Sequence, residues 1–281
     1  MIWLAAAGLI WAVGWAVNVW LARSVWAGQR VGRLGIALVF GLTVLGIWEC
    51  AVRGFDVSAV ILPAPSAIGV RIAGALPVLW ADFLQTVLKG ALTGYVMGCA
   101  AAVVVAVLID RSPFLKAGLL PVGNFVAALP IVGIAPILVA WFGFDWHSKA
   151  AVVVVMVFFP VLVNMVAGLQ VSERMQRDLM ATWGASYWQS LFKLRLPAAM
   201  PFLFNGLKIA STLALIGAIV AEFFGSPTVG MGFRISTEVG RLGMDMVWAE
   251  IAVAALAGSA FYGLIAGVER GVTFWHPSSR V

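Results

Sequence analysis

Residues 178–201 read DLMATWGASYWQSLFKLRLPAAMP, a polar, turn-containing stretch between two strongly apolar ones. Asp178 to Trp183 reads as a helical turn and a half, with Asp178 in the first turn, where a carboxylate complements the helix dipole. Gly184 permits positive φ, so the chain can reverse there. Tyr187 to Lys193 forms a second short helix in this reading, with Trp188 and Phe192 at i and i+4 as an aromatic ridge. Pro197 and Pro201 are expected to end that helix as the next apolar stretch begins. Membrane proteins join spans by short loops, so a long insert with basic and aromatic residues is expected to dock something. As a plain interfacial linker it would carry Trp and Tyr as well.

The 281 residues are 63% hydrophobic and only 11% charged, which excludes an ordinary soluble domain and defines a polytopic membrane chain. Thirty glycines and 13 tryptophans agree with close span packing and interfacial anchoring. Apolar windows long enough to cross a bilayer lie near 1–22, 34–52, 84–109, 115–142, 150–171, 202–224 and 246–268. The first lacks a basic n-region and is too long for a signal peptide, so it reads as a true span. Alternating these windows puts Arg53, Arg71, Lys89, Lys149, Arg234 and Arg241 on one side and the other twelve of the 18 Lys and Arg on the opposite side. The positive-inside rule makes the richer side cytoplasmic, so the N-terminus is expected outside, with the C-terminus and the 172–201 insert inside. The net charge of +6 therefore belongs to loops rather than to a nucleic-acid surface. Cys50 and Cys99 both sit in apolar runs and read as free buried thiols.

Residues 53–83 are expected outside, with Leu62-Pro63-Ala64-Pro65 as a rigid turn and Ser66 as the N-cap of a short surface helix. Glu49 is expected to meet Arg53 one turn on. Ionisable and amide groups within spans are costly and so are candidates for function. Glu222 is read either as a gate or pathway residue or as a carboxylate paired with a neighbouring span. Asn164 and Asn124 are read either as interhelical amides or, with Glu222, as residues of the substrate pathway. Asn124 lies between Pro121 and Pro130, where a broken helix would line a transport path together with Pro136. His147 has no companion ligands, and Asp110-Arg111-Ser112-Pro113 reads as a turn flanking the insert.

The insert resembles the cytoplasmic loop of ABC-importer permeases, whose pattern is Glu-Ala-Ala, three residues, Gly, nine residues, Ile-x-Leu-Pro. Here Asp178-Leu179-Met180 stands for the triplet, followed by Gly184 and Leu194-Arg195-Leu196-Pro197 at matching spacing. Further pieces follow in the order seen in the sulfonate, nitrate and taurine branch, which includes permeases for thiamine-pyrimidine precursors and riboflavin. They are Leu62-Pro63-x-Pro65, Ala135-Pro136, Trp141-Phe142-Gly143, Phe158-Phe159-Pro160, Asn164, Pro197-Ala198-Ala199-x-Pro201, Ala221-Glu222 and Val229-Gly230-Met231-Gly232.

The resemblance implies an all-α type I permease with a six-span core, about residues 80–270 of a transmembrane domain at 34–281. An extra N-terminal helix and basic loop occupy residues 1–33. It implies that Asp178, Ala181, Gly184, Ala185, Trp188, Leu194, Leu196 and Pro197 contact a cytosolic ABC ATPase. Two ATPase copies, a second permease copy and a periplasmic solute-binding protein complete the implied assembly, with the bilayer around it. None of the five lysines follows a glycine, so the phosphate-binding loop is absent, and ATP and Mg belong to the ATPase. The chain is not expected to be an enzyme or to bind a cofactor or metal. Anion-importing relatives commonly carry an Arg where Ala127-Ala128 stands, which favours a pyrimidine-like or other heterocyclic solute over a sulfonate-like anion. An ion-coupled secondary transporter is the rival reading. It would need midplane carboxylates and, in many folds, an inverted repeat, and neither is visible.

Overall fold

The computed structural model describes residues 2–24, 28–127, 129–225 and 228–275, without the side chains of Arg30, Pro113, Leu120, Asn124 and Ala127. The expectations for the Asn124 side chain and the Ala127-Ala128 pair thus lie outside the described residues. In chain order the helices are α1 (Ile2–Arg23), α2 (Arg30–Gly54), α3 (Pro65–Gly74), α4 (Leu76–Phe83), α5 (Thr93–Arg111), α6 (Pro113–Ala127), α7 (Ile131–Phe142), α8 (Trp146–Gln170), α9 (Arg174–Thr182), α10 (Tyr187–Ser190), α11 (Leu196–Phe223), α12 (Met231–Gly240) and α13 (Met244–Val272). π-Helical segments at Leu84–Leu92 and Leu191–Arg195 join α4 to α5 and α10 to α11. Among the described residues there is no strand, as expected where every backbone group must be satisfied within lipid.

Among the described residues six continuous helical runs are long and apolar enough to cross a membrane: Ile2–Arg23, Val31–Gly54, Leu76–Arg111, Trp146–Gln170, Tyr187–Phe223 and Met244–Val272. The apolar window at 115–142 is not one helix but two shorter ones, α6 and α7. Pro130 accounts for the break. It lacks an N–H, disfavours the α conformation in the residue before it, and sits in extended geometry (φ −69°, ψ 116°) as the N-cap of α7.

The chain forms two compact units, Met1–Pro77 with Thr237–Ile251, and Val78–Ser236 with Ala252–Val281. In the first, Ser66 does not cap α3 as expected. Ala64 occupies the N-cap and Pro65 opens the helix, which suits a residue with no N–H to lose. The cap comes from a distance: Glu49 on α2 accepts from the Ser66 backbone N–H at 2.9 Å and from its hydroxyl at 2.8 Å. Glu49 also meets Arg53, as expected for i, i+4 neighbours.

The second unit is organised around α8, whose Val152, Val153, Val157, Leu162, Met165 and Leu169 are fully enclosed. α5 and α11 flank it through small residues. A Cβ added at Gly98 of α5 would lie 3.1 Å from Val154 Cα, and one at Gly206 of α11 would lie 3.2 Å from Val161 Cα. Backbone faces backbone there, so neither neighbour can yield cheaply. Gly98→Val is expected to lower stability by about 1–3 kcal/mol through overpacking, read as a drop in thermal unfolding temperature in detergent. Gly118→Val, with open space around its Cβ, is the control and should barely move it.

Cys50 and Cys99 are free and buried, as the sequence implies.

Candidate functional site

The insert is more ordered than a turn between spans. α9 begins at Arg174, four residues before Asp178, because Glu173 and Gln176 form a reciprocal capping box around its start. Asp178 therefore lies in the second turn rather than the first. It is exposed and only loosely paired with Arg174, at 3.8 Å. α9 ends as expected at Gly184, whose φ of 71° closes the helix. Gly184 N–H donates to the Ala181 carbonyl and Ala185 N–H to that of Met180, the paired bonds of a Schellman stop.

The second helix starts on its own capping box, Ser186 with Gln189, and does not stop at the prolines. From Tyr187 it runs unbroken to Phe223. The π-helical segment explains this: Leu196 N–H donates five residues back to the Leu191 carbonyl, which widens the turn where the Pro197 ring would otherwise strike the carbonyl of Lys193. The aromatic ridge is present. The Trp188 and Phe192 rings stack with centroids 6.0 Å apart, and both are exposed.

The residues expected to contact a partner divide into two groups. Asp178, Ala181, Gly184 and Trp188 are exposed. Ala185, Leu194, Leu196 and Pro197 are half-buried, and Leu196 packs on the main core. The Asp-to-Gly half of the motif thus supplies surface, and the Leu-x-Leu-Pro half supplies anchorage. The stripe Met175, Leu179 and Trp183, one turn apart along α9 and its cap, was not singled out from the sequence. Met175 is 75% and Trp183 77% exposed, which leaves an apolar face without an intramolecular cover.

A polar tether holds this surface to the core. Asp110, at the end of α5, grips Arg195 with both carboxylate oxygens, one at 2.7 Å, and accepts from the Tyr187 hydroxyl at 2.9 Å. The Arg195 guanidinium also donates to the Leu169 carbonyl at the end of α8 at 2.9 Å. The two side chains of the ion pair are 11% and 8% exposed. Arg111 lies 5.7 Å from the Tyr187 ring centroid and 6.0 Å from that of Trp188. The Asp110–Pro113 turn therefore abuts the insert.

Glu222, by contrast, is engaged in holding backbone. Three successive N–H groups at the start of α12 are unsatisfied by the helix itself, and side chains from α4, the π-helical segment that follows it and α11 accept them. Asp82 takes Gly230 N–H at 2.6 Å, Thr86 Oγ1 takes Met231 N–H at 2.8 Å, and Glu222 takes Gly232 N–H at 2.7 Å. Thr86 donates its hydroxyl to Glu222 at 2.9 Å, and Arg234 pairs with Asp82 at 2.9 Å. Asp82, Thr86 and Glu222 are all buried, and two carboxylates suit the positive end of a helix. The spacing Gly230-Met231-Gly232 follows from this: a Cβ at Gly230 would lie 2.6 Å from the Glu222 carboxyl, and one at Gly232 would lie 2.8 Å from Glu222 Cβ.

Lys149, a loop cation by its place between apolar windows, is instead fully buried, and its ammonium donates to the carbonyls of Phe144 and Gly225, just past the ends of α7 and α11. Its place at the head of an apolar run was the available signal. Asp82, one turn before Thr86, carried the same signal.

Asn164 donates to the Pro160 carbonyl at 2.8 Å and accepts from Asn205 of α11 at 3.0 Å, an interhelical bond as expected. Pro136 lies within α7, and Pro130 is exposed at the break. Beside that break is a cavity of about 260 Å³ lined by apolar side chains, among them Leu129, Ile131, Met156, Phe159 and Leu213.

A polytopic, all-helical chain with a structured insert fastened to its core has the build of a membrane transport subunit. Residues 94–274 match the family described as binding-protein-dependent transport system inner membrane component, and the chain belongs to that family. It is 31% identical over 247 residues to the riboflavin transport system permease protein RibX of Chloroflexus aurantiacus, covering 87% of this chain and 91% of that one. It is 30% identical over 237 residues to the formylaminopyrimidine transport permease protein ThiX of Halalkalibacterium halodurans, covering 84% and 94%. With the taurine transport system permease protein TauC of Escherichia coli the identity is 27% over 240 residues, covering 83% and 86%.

Proposed function

We propose that this chain is the membrane-spanning subunit of an ATP-driven importer, and that α9 and α10 dock into a cytosolic ATPase. The observation that carries the reading is the exposed apolar face of Met175, Leu179 and Trp183, continued by Trp188 and Phe192, on a segment tethered through Asp110 and Arg195. An uncovered apolar face fastened to a core by a buried ion pair suits a surface that must receive force as well as bind. Two permease copies, two ATPases and a solute-binding protein would make up the assembly. Closure of the ATPases would press the inserts together and rock the spans outward, an alternating-access cycle. The basic-residue bias supports an inner-membrane topology with the N-terminus outside and the insert and C-terminus in the cytoplasm.

For the solute, a small uncharged or weakly charged heterocycle is favoured. The cavity beside Pro130 is lined by apolar groups including Phe159, and no described cation lines it. RibX and ThiX, the transport permeases named for riboflavin and formylaminopyrimidine, agree with this choice better than TauC does. A thermal-shift screen of the cognate binding protein against pyrimidines, flavins and sulfonates identifies the class, and a response to sulfonates alone would overturn it.

Docking is tested with Gly184→Pro and Asp178→Lys. Proline cannot adopt φ near 71°, so the first variant destroys the stop of α9. The second reverses charge on the exposed helix. Both are expected to insert normally and to lose the ATPase in a pull-down, and full retention by both would sink the docking claim.

A further inference from the structure

The second unit holds a polar cavity that the transport reading does not use. It has a volume of about 440 Å³ and is lined by Asp110, Lys116, Gln170, Arg177 and Arg195. These residues come from the ends of α5 and α8, the first turns of α6 and α9, and the π-helical segment before α11.

The lining charge is unbalanced. Arg195 and Asp110 neutralise one another in their bidentate pair, and the rest of the guanidinium is taken up by the Leu169 carbonyl. Lys116 and Arg177 remain. Among the described residues, neither forms an ion pair with a carboxylate. Asp178 is adjacent in sequence to Arg177 but pairs with Arg174 instead. Two cations from separate helices thus line one concave site with a neutral amide, and neither has a carboxylate partner of its own. An anion in the site would supply a partner.

We propose that this cavity binds a phosphate group, with Lys116 and Arg177 as its charged contacts and Gln170 as a neutral donor. Arg177 offers a planar fork matched to phosphate oxygens, and Lys116 a mobile point charge. The position favours a membrane source. Asp110 and Gln170 are within two residues of the ends of membrane-length helices, a position that suits headgroup depth. α6 exposes Phe114 and Leu119 on either side of Lys116 in sequence, apolar groups compatible with an acyl chain. Basic pockets between spans are where anionic headgroups bind. Free inorganic phosphate has the same chemistry and is the alternative source.

The test uses the full-length permease purified in neutral detergent, without ATPase, so its outcome is independent of the docking reading. Thermal unfolding is followed while titrating dihexanoyl-phosphatidylglycerol, dihexanoyl-phosphatidylcholine or inorganic phosphate, since a ligand of the folded state raises the midpoint. Phosphatidylglycerol is expected to raise the midpoint with saturation, and the zwitterionic lipid far less. Lys116→Gln is expected to weaken the response about fivefold, and Lys116→Gln with Arg177→Gln roughly 30-fold. Lys116→Arg with Arg177→Lys should keep it, which separates charge from folding. A response to phosphatidylglycerol alone supports the proposal with the membrane as the source. An equal response to inorganic phosphate, lost in the same double variant, supports it with a soluble source. Equal half-saturation for wild type and the double glutamine variant would overturn it, as would equal responses to the two lipids.

Discussion

Asp110→Ala is expected to cost about 3–5 kcal/mol of stability and to loosen the whole insert. The carboxylate is nearly enclosed and serves two elements at once, the Arg195 guanidinium and the Tyr187 hydroxyl. Removing it leaves a buried cation with only the Leu169 carbonyl for company, and it also strips Tyr187 of its acceptor. Arg195→Ala should cost a similar amount, because it orphans the carboxylate instead. The two losses should not add, since the partners form one unit. Asp110→Leu combined with Arg195→Met removes both charges and should recover most of the thermal stability. The bidentate grip also sets the direction of the segment, so this double variant should still transmit ATP hydrolysis poorly. The paired readouts are unfolding temperature and solute uptake per ATP hydrolysed in proteoliposomes. Unchanged coupling in the recovered double variant would show that packing alone fastens the insert.

The second large effect is expected at Gly230. Its φ is 133°, a conformation that a side chain resists, and a Cβ there would press on the Glu222 carboxyl. Gly230→Ala should therefore cost about 3 kcal/mol or more, from backbone strain together with the displaced cap. Glu222→Gln keeps an acceptor for Gly232 N–H and should cost less. Combining Gly230→Ala with Glu222→Ala removes the steric part and leaves the strain, so the pair should cost less than the sum of the single changes. Unfolding temperature and protease sensitivity around α12 report the outcome. Additive losses would mean that Gly230 and Glu222 act separately.

Much of this protein was readable from residue chemistry. Apolar windows located the helices because lipid leaves the backbone few alternatives, and Gly184 marked a reversal because few other residues tolerate its φ. The Trp188 and Phe192 spacing gave their stacking by simple helical geometry. The misreadings share a cause. Ser66, Pro197 and the start of α9 were judged by local propensity, yet their outcomes depend on partners or on helix register. Glu49 caps α3 from 17 residues away, a π-helical turn carries the chain through Pro197, and a capping box at Glu173 moves the helix start upstream.

Sequence alone thus determined the class of the chain, all but one of its long apolar helices and the presence of a structured insert, because these follow from composition, periodicity and φ preferences; the 115–142 window was the exception, split at Pro130. Tertiary structure alone decided what the buried charges do. Asp110 with Arg195, Glu222 with Gly232, and Lys149 with the carbonyls of Phe144 and Gly225 are partnerships across 5 to 85 residues of chain, and the first two join separate helices. A buried charge must find a partner of complementary chemistry wherever the fold brings one, and spacing along the chain carries no record of that meeting.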